Sequence, residues 1–174
     1  MDGFSIDQAT ELDADAIASL VNQAYRPEGH DCGWTHEAAL VSGLRISPAQ
    51  VRALFRVGSS VLVMRSEHGL LACVHIEQAG QACYIGMLAT LPSTQNQGLG
   101  KAMLQAAEAL ATQQYGANHL KMLVLSSRPE LQAYYERRGY AVTGHREPYP
   151  LHAGVGVPRR DDLIVMEMSK PVIQ

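Results

Sequence analysis

The chain has 174 residues, 47% hydrophobic and 18% charged, a composition that supports a packed core and excludes a disordered protein. A formal net charge of -3 leaves no basic excess for displacing counterions from nucleic-acid phosphates. Cys32, Cys73 and Cys83 form an odd set without a C-x-x-C pair, so a disulfide framework is not expected and a reducing cytoplasm is.

Residues 1–10 include Asp2 and Asp7, unlike a secretory leader, and no apolar run reaches the length of a membrane span. After a short strand at 4–6, Ile17, Leu20, Val21 and Ala24 recur at helical spacing, with Pro27 and Gly29 as a stop. A second helix is expected over 36–44. Ser47-Pro48-Ala49-Gln50 reads as an N-cap, a proline at the first helical position and a capping-box glutamine, opening a helix through Phe55. Runs 61–64 and 71–76, joined through 66–69, read as a hairpin, and a turn at 78–81 leads to a strand over 83–90. A long helix follows, with Leu99, Ala102, Met103, Ala106 and Leu110 as its buried stripe and Gly116 as its end. A strand at 120–125, a helix at 129–138 and strands at 140–143 and 163–168 complete the chain. Hairpins followed by β-α-β-α-β predict an α/β (α+β) fold in one domain, residues 1–174.

The chemistry concentrates in Gln95-Asn96-Gln97-Gly98-Leu99-Gly100-Lys101, between a strand and the long helix. Two glycines permit a tight turn and close approach of a ligand, and the first amides of the helix are unpaired donors at its positive end. That is a phosphate or pyrophosphate site. A Walker loop would need Gly at 95 and Ser or Thr at 102, where Gln95 and Ala102 stand. A dinucleotide fingerprint would need glycine at 103, where Met103 stands.

The pattern Q-x-x-G-x-G resembles the pyrophosphate loop of the GNAT-type N-acetyltransferase superfamily. The later run Tyr134-Tyr135-Glu136-Arg137-Arg138-Gly139-Tyr140 is similar to that family's Y-x-x-x-G-[FY] motif, and Val165–Lys170 to its closing strand. The resemblance implies a mixed, mostly antiparallel central sheet flanked by helices, acetyl-CoA as cosubstrate and an amine as acceptor. It places the acetyl-CoA contacts at Leu88, Ala89, Thr90, Gln95, Asn96, Gln97, Gly98, Leu99, Gly100 and Lys101. It makes Tyr135 the acid that protonates the departing thiolate, with Tyr134 as the rival donor. Arg128 departs from the pattern, because many relatives carry Asn there. The expected activity is small-molecule N-acetylation; the alternatives are lysine or N-terminal acetylation of a protein, or a non-catalytic coenzyme A sensor. A homodimer is left open.

No general base stands out. On simple alternation Tyr84 and Gly86 share a face with Leu88 and offer no carboxylate or imidazole. His75 and Glu77 on the adjacent strand, and Glu28, His36 and Glu37 after the first helix, are the remaining candidates, each read as a surface residue ahead of a base, and none is assigned. His30, Cys32 and His36 lack a fourth partner and a recognised zinc spacing, so no metal is expected. The resemblance makes Trp34 a candidate wall of the acceptor side, with a plain packing role as the equal alternative. Arg159-Arg160 is read as a solvated charge pair, with an acceptor carboxylate as the other option.

Overall fold

The computed structural model describes residues 3–27 and 37–173. In chain order the elements are β1 (Ser5–Gln8), α1 (Ala14–Tyr25), β2 (Val41–Ser42), α2 (Pro48–Arg52), β3 (Ser59–Ser66), β4 (Gly69–Ala79), β5 (Ala82–Thr90), α3 (Leu99–Tyr115), β6 (His119–Leu125), α4 (Pro129–Glu136), β7 (Ala141–Pro148), β8 (Val157–Pro158) and β9 (Ile164–Pro171).

Local chemistry accounts for the main helices. Ile17, Leu20, Val21 and Ala24 form the buried face of α1. At α2 the Ser47 hydroxyl accepts from the Gln50 amide at 3.2 Å, while the Gln50 side chain accepts from the Ser47 amide at 2.8 Å, the reciprocal capping read from the sequence. Left-handed glycines bracket α3: Gly98 (φ 80) precedes it and Gly116 (φ 62) closes it.

Among the described residues, seven strands form one sheet in the order β1-β3-β4-β5-β6-β9-β7, and β2 and β8 pair separately. Every pairing in the large sheet is antiparallel except β5 with β6, as expected of a mostly antiparallel sheet. Two cores cover its faces. Met103, Leu104, Ala107 and Ala111 of α3 pack with Val74, Ile76, Cys83 and Ile85 on one side. Residues of α1 and Val51 of α2 pack with Cys73, Met87 and Ala89 on the other. Met103 and Leu104 are each buried to within 2%, and each such side chain contributes roughly 1.5–3 kcal/mol relative to exposure.

Several expectations are corrected. The helix expected over 36–44 is a single turn at 38–40 followed by β2; His36 lies outside the described residues. Gly43 (φ 83) and the pairing of Val41 with Pro158 divert the chain into a strand. Helix α2 ends at Arg52 rather than Phe55, and α4 at Glu136 rather than Arg138. The fully buried stripe of α3 is Leu99, Met103, Leu104, Ala107 and Ala111, while Ala102, Ala106 and Leu110 border it. Strand β7 runs on to Pro148, well beyond the expected 143, because its inner edge pairs with β9.

Candidate active site

The site begins where the sheet opens. Parallel pairing of β5 with β6 stops at Tyr84 and Lys121, so Ile85–Thr90 and Met122–Leu125 diverge. Strand β5 also bulges. Cys73 faces Ala89 and His75 faces Gly86, leaving Met87 and Leu88 opposite Val74 alone, and Met87 adopts φ 53. The extra residue reverses the side-chain alternation: Cys83 and Ile85 pack toward α3, whereas Met87 and Ala89 pack toward α1. Leu88 therefore does not share a face with Tyr84 and Gly86, correcting the reading from simple alternation.

The bulge leaves backbone groups directed into the opening. Leu91 donates its amide to Leu71 on β4 at 2.9 Å, so alternation directs the Thr90 amide away from β4. The Tyr25 hydroxyl donates to the Leu88 carbonyl at 2.7 Å. Burial pushes the Tyr25 hydroxyl up to about 12, and it stays protonated in that bond.

Downstream, Asn96 (φ 66) and Gly98 (φ 80) turn the chain into α3. The Ala102 amide donates to the Gly98 carbonyl, so the preceding amides of Leu99, Gly100 and Lys101 have no acceptor within the helix. Thr90, Gln95, Asn96, Gly98, Leu99, Gly100 and Lys101 line one groove of about 430 Å³. Glu130, Tyr134, Arg137 and Arg138 of the α4 region form its other wall. Among the described residues, three cations thus stand at the helix start, against a single carboxylate. The Arg138 guanidinium stacks on the Tyr134 ring, 3.5 Å from its centroid, and donates to the Tyr134 carbonyl at 2.7 Å. Two expected contacts fall outside: the Ala89 side chain is in the α1 core, and Gln97 is exposed beside the groove.

A narrow cavity of about 40 Å³, walled by Tyr25, Leu88, Thr90, Gly100, Arg128, Leu131, Tyr134 and Tyr135, lies between this groove and a second cleft and shares lining residues with both. Tyr135 lines the narrow cavity and the cleft. Its ring packs edge-on against Tyr134 (centroids 5.2 Å apart) and Tyr140 (6.0 Å), and its hydroxyl has no hydrogen-bond partner among the described residues. Burial raises its pKa well above the ordinary tyrosine value, so it stays protonated across the neutral range. The rival Tyr134 faces the phosphate groove: its hydroxyl lies 3.3 Å from where a Cβ on Gly100 would sit. Arg128 is 4% exposed, donates to Glu130 at 3.1 Å and lines both the narrow cavity and the cleft.

The second cleft, about 550 Å³, lies in the opening between β5 and β6 and is closed on one side by Tyr149, Pro150, Ala153 and Val155. His75 and Glu77 line it, with Tyr84 and Gly86 opposite them in register. Burial pushes the His75 imidazole down to about 4, so it is neutral at pH 7; its Nε2 lies 2.7 Å from Ser59 Oγ. Glu77 is ion-paired with Arg56. The Tyr84 hydroxyl donates to Glu167 at 2.7 Å, and that bond, with burial, moves it up to about 12.

Glu37, expected at the surface, is 8% exposed and paired with the equally buried Arg26 at 2.5 Å. Arg26 also donates to the carbonyls of Gly43 and Val155, tying the β2 turn to the segment before β8. Arg159 donates to the Ala38 carbonyl and Arg160 pairs with Asp162, so neither lines the cleft, in line with the solvated reading. Glu28, His30, Cys32, Trp34 and His36 lie outside the described residues, and no metal-holding cluster occurs among the described ones. Sequence reasoning missed Tyr25, Arg45 and Tyr149 as cleft residues, and Arg137 and Arg138 as groove residues. The last two adjoin the tyrosine motif, a signal that was available.

A helix start rich in amides and cations, beside a buried tyrosine and a cleft at a sheet splay, suits an acyltransferase that draws on a phosphate-bearing acyl donor. Residues 57–142 match the family model described as Acetyltransferase (GNAT) domain, and the chain belongs to the GNAT acetyltransferase superfamily, whose members use acetyl-CoA. The same fold occurs in an N-acetyltransferase from Staphylococcus aureus Mu50 (13% identity, TM-score 0.74, covering 99% of each chain). It occurs in the ribosomal-protein-S18-alanine N-acetyltransferase from Escherichia coli (16%, 0.70, covering 99% of this chain and 96% of that one). A GNAT family acetyltransferase from Elizabethkingia anophelis with acetyl-CoA bound is similar too (12%, 0.68, 99% and 100%). No curated protein sequence matches the chain.

Proposed function

We propose that this acetyl-CoA-dependent N-acetyltransferase acetylates the amine of a small molecule held in the cleft between β5 and β6, by direct attack on the thioester. The observation that carries the reading is the succession of cavities: a cationic groove at the start of α3, a narrow cavity beside Tyr135, and a cleft of about 550 Å³, a size suited to a small ligand, adjoin through shared lining residues. The amides of Leu99, Gly100 and Lys101, with the Lys101, Arg137 and Arg138 side chains, hold the pyrophosphate. The strand backbone at Leu88 and Thr90 aligns the pantetheine arm toward the splay.

In the transfer step the amine nitrogen bonds to the thioester carbonyl carbon and the carbon–sulfur bond breaks. The amine proton leaves to His75, directly or through a water, because its imidazole is neutral at pH 7 and faces the cleft. The departing thiolate takes the Tyr135 proton. The reading treats residues 1–174 as one domain in the cytoplasm, where the buried thiols Cys73 and Cys83 stay reduced.

The test is thermal melting with acetyl-CoA, NAD and ATP. Acetyl-CoA raises the melting temperature by mass action and the other two do much less. Stabilisation by ATP but not by acetyl-CoA overturns the reading.

A further inference from the structure

Among the described residues, charges along the acceptor cleft are matched by neighbours with one exception. Glu37 is paired with Arg26, Glu77 with Arg56, and Arg128 with Glu130. Arg45 lines the same cleft and is partly buried, yet its guanidinium has no hydrogen bond or ion pair among the described residues. Its one ring contact is with Tyr25, 5.7 Å from guanidinium carbon to centroid. The backbone beneath it is fixed: Asn22 Oδ1 accepts from the amides of Arg45 (2.8 Å) and Ile46 (3.2 Å), and Asn22 Nδ2 donates to the Ile46 carbonyl at 2.8 Å. An anchored chain thus carries an uncommitted fork of five donors, whose shape matches a carboxylate or phosphonate oxyanion.

Position gives this fork a purpose. Tyr25 links Arg45 to the reaction centre, since its hydroxyl is bonded to the Leu88 carbonyl in the splay. A ligand touching Arg45 therefore reaches toward the thioester with its other end. Removing a cation from water without a partner is unfavourable, and an anion on the ligand restores the balance. The groove for the donor's phosphates lies elsewhere, beyond the narrow cavity, and Arg45 does not line it.

We infer that the acceptor is an amine that also carries a compact oxyanion, a carboxylate or phosphonate, and that Arg45 is the residue that reads it. This rests on the proposed acetyl transfer in the cleft but can be tested apart from it. Saturate the protein with coenzyme A and measure thermal stabilisation and calorimetric binding for the twenty L-amino acids, their amides and matching aminophosphonates. In parallel, follow thiol release from acetyl-CoA with the same panel.

At least one carboxylate or phosphonate amine binds roughly tenfold or more tightly than its amide, and Arg45→Gln collapses that ratio toward one. Arg45→Lys keeps part of it, because the charge remains while the fork is lost. Coenzyme A still stabilises both variants, which reports an intact fold. The inference is overturned if amides bind as well as their acids, if no acid binds, or if Arg45→Gln weakens acid and amide alike. Acid-selective binding without thiol release leaves the anion site standing and refutes only the transfer reading.

Discussion

Gly98 and Gly100 stand two residues apart, yet the structure predicts opposite consequences for replacing them with valine. At Gly100 the backbone is ordinary helix, and valine has a slightly better helix propensity than glycine, by a few tenths of a kcal/mol. Against that, the new Cβ would sit 3.3 Å from the Tyr134 hydroxyl and 3.8 Å from Thr90 Cγ2, so the tyrosine must give by a few tenths of an ångström. The two effects nearly cancel, and stability should change by less than about 1 kcal/mol. The branched methyls instead occupy the groove beside the amides of Leu99, Gly100 and Lys101, and acetyl-CoA binding should weaken tenfold or more. At Gly98 a Cβ meets nothing within 4 Å, but φ is +80, a region that costs a non-glycine residue about 1–2 kcal/mol and a β-branched one more. Gly98→Val should therefore lower stability first, by straining the start of α3. Denaturant unfolding without ligand, beside calorimetric titration of acetyl-CoA, separates the two effects. A folded Gly100→Val protein that binds acetyl-CoA like the parent would refute the placement of the pyrophosphate.

Tyr135→Phe should leave stability nearly unchanged, because the ring packing is kept and the hydroxyl has no partner among the described residues, while kcat falls about tenfold to a hundredfold. The effect sits at the low end for general acids because a tyrosine is already a weaker acid than the thiol it protonates, and burial widens that gap. Tyr134→Phe should instead alter KM for acetyl-CoA with little change in kcat; a kcat defect in Tyr134→Phe alone would exchange the two roles. His75 gives a pH prediction: unfolded, it takes a proton below about 6.5, but folded only near 4, so stability is lost as pH falls across that window. At roughly 1.4 kcal/mol per pH unit the loss is on the order of 3 kcal/mol, and His75→Gln should flatten that part of the curve in denaturant titrations. An unchanged slope would show that the imidazole is not buried as neutral.

The elements that position the donor were legible because their signals are local. Helix α1 declares itself by period, α2 by its capping box, and α3 by the glycines at both ends. Motif spacing singles out Tyr135 and the glycine loop; most of the loop lines the groove, and Tyr135 lines the adjoining narrow cavity and the cleft. The acceptor side was not legible, since it is assembled across distance: Tyr25 ends α1, Arg45 follows β2, His75 lies on β4 and Tyr149 follows β7. The bulge at Met87 was hidden for a related reason. Alternation is read from sequence as unbroken, and nothing in Gly86-Met87-Leu88 announces that Met87 takes φ 53. Glu37 read as a surface charge, because only tertiary packing pairs it with Arg26 and brings Val155 and Tyr149 over the pair.

The central claim, acetyl transfer from acetyl-CoA to a small amine through this groove, is tested most directly by thiol release in the presence of an amine panel, with the amines then examined by mass spectrometry. The account predicts release that depends on the amine, an acetylated product in equal amount, and loss of both in Gly100→Val at subsaturating acetyl-CoA. Tight binding of acetyl-CoA with no amine-dependent release across small amines, while a lysine- or N-terminus-bearing peptide is acetylated, would contradict it.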